Sequence, residues 1–134
     1  VTSPRGLLDT SAVVDLGKLS AEVLPDESLI STITLAELSV GPLVARTDRE
    51  REARLAHVQL AESMFDAVPF DAAAARAFGR VAGSLRRSGR KVSARSFDAL
   101  IAAVALANDV PVYTAHPDDF RGIDGLEVHA VEVD

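Results

Sequence analysis

The chain has 134 residues, 48% of them hydrophobic, enough for one domain around a single sizeable core. The absence of cysteine excludes disulfides and thiolate metal sites and fits a reducing cytoplasm, and a formal charge of −6 argues against indiscriminate binding to polyanions. Asp9 and Asp15 interrupt the N-terminal apolar stretch, and no run approaches membrane-spanning length, so a soluble cytoplasmic protein with no membrane role is expected.

In chain order, Gly6-Leu7-Leu8-Asp9 predicts a short buried strand, with Thr10 and Ser11 placed to cap a helix reaching Leu16. Ser28 to Ile33 predicts a second strand. Thr34-Leu35-Ala36-Glu37 has the spacing of a capping box, Thr34 as N-cap and Glu37 at N3, so a short helix should run towards Gly41-Pro42. From Asp48 to Phe65, charges mix with Leu55, Val58, Leu60 and Met64, the composition of an amphipathic surface helix whose apolar stripe also suits a partner segment. Ala67 to Phe70 is a third strand, and Asp71 caps an Ala-rich helix to Arg87 that Ser88-Gly89 closes.

The next helix, Ser96 to Ala107, sets Asp98 before an unbroken apolar run. A helix apolar on every side is a buried one, so this carboxylate either caps the helix or serves a function. Asn108-Asp109 ends it, Val110 to Thr114 is a fourth strand, and Leu126 to Val131 alternates as a fifth. Strands alternating with helices imply an α/β layer fold with a mainly parallel five-stranded sheet. Two consecutive helices between the third and fourth strands require one to lie obliquely, or the connector to cross back.

Sites in open α/β sheets form at the carboxyl ends of the strands. Asp9 ends the first strand, Glu37 opens the helix after the second, and Asp118 and Asp119 follow the fourth; a helix running antiparallel to the fourth strand returns Asp98 to the same rim. Carboxylates gathered there repel one another, and a divalent cation relieves them; oxygen donors suit Mg²⁺ or Mn²⁺, which activate water and neutralise phosphodiester charge. From Ala72 to Phe97 there is no acid, and this window holds seven of the fourteen cations, Arg90, Lys91 and Arg95 among them, leading into Asp98. A cationic approach to an acidic pocket suits a phosphodiester substrate. His57, His116 and His129 lack metal-ligand spacing, and neither a Gly-x-Ser-x-Gly elbow nor a cysteine nucleophile is present.

Asp9-Thr10-Ser11-Ala12, Thr34-Leu35-Ala36-Glu37, Phe97-Asp98-Ala99-Leu100-Ile101-Ala102-Ala103 and Thr114-Ala115-His116-Pro117-Asp118-Asp119-Phe120 resemble, in order, the four signature segments of PIN-domain nucleases, especially VapC-type toxins of bacterial toxin-antitoxin pairs. The resemblance runs from about Leu7 to the C-terminus and implies a single PIN-like nuclease domain over residues 1–134, a three-layer fold with its sheet between helices. It implies that Asp9, Glu37, Asp98 and Asp119 form a catalytic quartet binding Mg²⁺ or Mn²⁺, supported by Thr114; the charge pattern adds Arg90, Lys91 and Arg95 as residues to grip the RNA backbone. It further implies RNA cleavage, a homodimer, and silencing by a cognate VapB-type antitoxin. His116 stands where the family usually has Asn, which raises a role for it in hydrogen bonding or substrate contact. Two other readings stay open: a non-catalytic RNA- or partner-binding module of the same fold, and a receiver-like phosphoacceptor, which here lacks paired acids after the first strand.

Overall fold

The computed structural model describes residues 4–133. Five strands, β1 (Arg5–Leu8), β2 (Glu27–Ser31), β3 (Ala67–Val68), β4 (Val112–Thr114) and β5 (Val128–Ala130), pair in parallel in the order β3-β2-β1-β4-β5. The chain leaves β1 on one side through β2 and β3, then crosses over to β4 on the other. The switch point therefore lies between β1 and β4, the place where such sheets form sites. Receiver domains use the order 2-1-3-4-5, so this topology removes the phosphoacceptor reading.

The helices are α1 (Thr10–Val14), α2 (Thr32–Leu43), α3 (Asp48–Met64), α4 (Ala72–Arg87) and α5 (Ser96–Ala107). Alternation along β1 sends Leu7 and Leu8 to opposite faces of the sheet. Leu7 and Val112 pack in one cluster with Val81 and Leu85 of α4 and Ile101 and Val104 of α5. Leu8, Ile30 and Tyr113 pack with Ala12, Val13, Leu38 and Ala61 from α1, α2 and α3. The result is three layers, each fully buried Leu or Ile contributing about 1.5–3 kcal/mol by its removal from water. α5 is buried from Ile101 to Ala105, as its unbroken apolar run requires.

Two consecutive helices fit because the connector folds back. Gly89, at φ 78°, closes α4 with bonds from its own N–H to the Arg86 carbonyl and from the Arg90 N–H to the Leu85 carbonyl. The Arg90 guanidinium then donates to the carbonyls of Asp118 and Arg121 at 2.9 and 2.8 Å, tying the connector to the loop after β4. One 3-10 turn, Val92–Arg95, delivers the chain to α5.

Several expected boundaries shift. Ser31 caps α2, its Oγ accepting the Thr34 N–H at 3.2 Å, so β2 stops before Thr32 and the Thr34–Glu37 capping box does not form. Thr34 is already helical and buried, which leaves Glu37 inside the helix, free of any capping task. Asp9 caps α1 in place of Thr10 or Ser11, and α1 ends at Val14, with a 3-10 turn over Leu16–Lys18 beyond it. α2 continues through Pro42 to Leu43. β3 stops before Pro69, and β4 begins only after Pro111, since proline offers no N–H to a ladder. β5 is shorter than its alternating pattern.

Tyr113 pairs with Leu8 on one side and His129 on the other. Its ring lies over Gly6, where an added Cβ would come within 2.6 Å of the ring Cδ1. The same ring stacks on His129 with centroids 4.7 Å apart, so this histidine is structural. Among the described residues no helix is long and apolar enough to cross a membrane.

Candidate active site

Asp9 leaves the end of β1 as the N-cap of α1, and its side chain is bonded on both oxygens. Oδ1 accepts the Ala12 N–H at 3.0 Å and the Ser11 hydroxyl at 2.7 Å; Oδ2 accepts the Thr114 hydroxyl at 2.6 Å. Thr114 ends β4, is wholly buried, and accepts the His116 N–H at 2.9 Å. Ser11 in turn accepts the Ala115 N–H, so the ends of β1 and β4 are joined through hydroxyls. Glu37 projects from α2 and takes the Thr10 hydroxyl at 2.6 Å.

Asp98 and Asp119 complete the group. Asp9, Glu37, Asp98 and Asp119 line one pocket of about 380 Å³, together with His116 and Asp15. Asp98 stands in the first turn of α5, yet the helix cap is Arg95 and no side chain provides a capping bond, so capping does not explain the carboxylate. Asp119 sits in the 3-10 turn Pro117–Phe120 and receives the Arg95 guanidinium at 2.6 Å, with the two side chains about one-third exposed. Asp118 points away, exposed, towards Arg121. Arg90 and Lys91 do not reach this pocket; they line a neighbouring basic one.

Burial pushes the Asp9 carboxyl above its usual range even against three donated hydrogen bonds. Asp98 is pushed from 3.8 to about 6, first by burial and then by the charges of Asp119, Asp9 and Glu37, with Arg95 opposing. The acids therefore sense one another across the pocket. The carboxylates and hydroxyls that dominate the lining, with His116 beside them, fit a hard divalent cation. Among the described residues no three His, Asp or Glu side chains already converge closely enough to hold an ion. A hydroxyl holds Glu37 and Arg95 holds Asp119. Rotation of these side chains is what loading would require.

Thr10 and Ser11, whose sequence context suits helix caps, instead orient acids. Local patterning also passes over Asp15, one helical turn beyond Ser11, whose i, i+4 spacing puts it on the same side of the helix. The PIN-domain family profile matches residues 7–126. The chain belongs to the PIN-domain family. This PIN domain is 40% identical over 127 residues to Ribonuclease VapC5 of Mycobacterium tuberculosis (strain ATCC 25618 / H37Rv), covering 92% of this chain and 91% of the relative. It is 34% identical over 97 residues to the tRNA(fMet)-specific endonuclease VapC of Shigella flexneri, covering 72% and 70% of the two chains. Among solved structures it is similar to VapBC-5 of M. tuberculosis, a member of the VapBC family of toxin-antitoxin systems, with a TM-score of 0.83, 39% identity and coverage of 96% and 99%. These likenesses place this PIN domain among the VapC-type proteins.

Proposed function

We propose that this chain is an Mg²⁺- or Mn²⁺-dependent endoribonuclease acting as the toxin of a VapBC-type pair. The observation that carries the reading is the convergence of Asp9, Glu37, Asp98 and Asp119 on one pocket at the β1–β4 switch point, in a chain related to ribonucleases of the VapC type. These four carboxylates would hold the ion, which when bound activates water and neutralises charge on a phosphodiester. Thr114 and Ser11 fix Asp9 in place, and Thr10 fixes Glu37. Arg95, paired with Asp119 and lining the adjoining hollow, is positioned to exchange Asp119 for a substrate phosphate.

A protein partner is supported by apolar side chains exposed along α2 and α3, Leu43, Val44, Leu55 and Met64 among them, of the kind an antitoxin segment covers. The chain related by structure comes from a toxin-antitoxin complex. A homodimer belongs to the same reading, and light scattering on the purified chain checks it.

Cleavage of single-stranded RNA by the purified chain with Mg²⁺, followed on a denaturing gel, tests the activity. Excess chelator and Asp98→Asn should each abolish product while circular dichroism stays unchanged. Cleavage that survives either treatment overturns the metal-dependent reading, and RNA binding without product would favour the non-catalytic module.

A further inference from the structure

We propose that single-stranded RNA follows a groove from the acid pocket over the start of α5 to the basic connector, with one unpaired base stacked on Phe97 and flanking phosphates held by Arg86 and Lys91. The proposal rests on the nuclease reading for where the scissile phosphate sits. Three hollows adjoin. A hollow of about 330 Å³ shares Glu37 and Asp98 with the acid pocket and continues over Ser93, Arg95 and Phe97. A third, of about 490 Å³, shares Ser93 with the second and is walled by Arg86, Arg90 and Lys91 over Val92. The three make one path that passes from acids, across an aromatic ring, to cations.

The cations along it divide into engaged and unpaired ones. Arg87 pairs with Asp124 at 3.1 Å, and Arg90 is engaged by the Asp118 and Arg121 carbonyls. Arg86 and Lys91 make no ion pair among the described residues. Phe97 is 43% exposed, although the helix it opens is otherwise buried through its centre. One exposed aromatic is ordinary by itself. Between carboxylates and unpaired cations, however, an apolar partner would have to bury those charges. A chain that alternates flat bases with phosphates matches ring and cations together. A duplex keeps its bases stacked on each other and has none to lay on the ring.

The test uses the Asp98→Asn chain with Mg²⁺ and a labelled eight-nucleotide single-stranded RNA, binding being read by fluorescence anisotropy across a salt series. Phe97→Leu should weaken binding by about 10-fold, within the range for loss of one base–aromatic stack, and Phe97→Trp should preserve it. Arg86→Ala with Lys91→Ala should lower the slope of log K against log salt by about 1.4, or roughly 0.7 for each phosphate released. A blunt duplex should be indifferent to Phe97→Leu. The groove is overturned by an unchanged salt slope, by equal binding of the Leu and Trp variants, or by a duplex that loses as much as the single strand. Melting temperatures near that of the parent check that each exposed substitution leaves the fold intact. Cleavage of the same RNA by the parent and Asp98→Asn chains separates the two readings. Loss on Asp98→Asn with unchanged slopes defeats the groove and keeps the nuclease; equal cleavage with lowered slopes defeats the nuclease and keeps the groove as an RNA-binding surface.

Discussion

Asp9, at the end of β1, and Asp98, in the first turn of α5, line the same pocket and are held there by different physics. Asp9 is buried against the sheet with donors on both oxygens, from Thr114, Ser11 and the Ala12 amide. Asp98 is half-buried, meets no hydrogen-bond donor among the described residues, and feels mainly burial and the charges of Asp119, Asp9 and Glu37. One wall is thus prearranged by bonds that the fold needs in any case. The other stands under repulsion that only a cation or a proton removes. On the first wall three donated hydrogen bonds offset part of the cost of burying charge, and on the second only Arg95 does.

The largest expected effect breaks this contrast at both walls. Asp9→Asn and Asp98→Asn should each lower RNA cleavage by at least about 100-fold, the scale on which a lost metal ligand acts. Both remove a buried charge, but in urea Asp98→Asn should be the more stable of the two by about 1–3 kcal/mol, because in Asp9→Asn an amide nitrogen cannot accept from the Thr114 or Ser11 hydroxyl. Equal stabilities for the two variants would remove the distinction. Thr114→Val should cost about 1–2 kcal/mol by leaving Asp9 Oδ2 without its donor, and denaturant midpoints check it.

A smaller effect sharpens the second wall through pH. The folded chain holds the Asp98 proton more tightly than the unfolded one, about 6 against 3.8. Its contribution to stability is therefore fully present below about pH 3.8, and is lost as pH rises through 6. Without metal, Asp98→Asn should be more stable than the parent above pH 6, by about 1 kcal/mol once solvent screening of a half-exposed carboxylate is allowed for. That advantage should shrink as pH falls towards 4. Thermal melts in chelator across this range read it, and a parent chain that gains stability as pH rises from 4 to 7 relative to the variant contradicts it. The smallest effect concerns Arg95, which competes with any ion for Asp119. Arg95→Gln should tighten Mn²⁺ binding in the absence of RNA by roughly 2–5-fold, the scale of a partly exposed ion pair, as read by calorimetry.

Much of this contrast could be read in one dimension. The short apolar run before Asp9, the acid-free basic window and the unbroken apolar helix after Asp98 are local patterns, and the structure places them as β1, as α4 with its connector, and as buried α5. What local pattern does not carry is the choice among equivalent hydroxyls. Ser31 and Thr34 are both good caps, and only the position at which the backbone turns helical selects Ser31. Thr10 and Glu37 are 27 positions apart, and Asp9 and Thr114 are 105 apart. No spacing rule links such pairs; the parallel neighbours β1–β2 and β1–β4 do. Likewise, the direction of a single 3-10 turn decides that Asp119 enters the pocket and Asp118 does not.

The stack of Tyr113 on His129 and over Gly6 lies outside the acid pocket, yet it governs the chemistry there. It fixes the longitudinal offset of three neighbouring strands, because only glycine at position 6 admits the ring in that seat. A slip of β4 by one residue would turn every side chain on it to the opposite face. Thr114 would then point away from Asp9, so a flat aromatic column works as the alignment pin on which the bond between two distant segments depends.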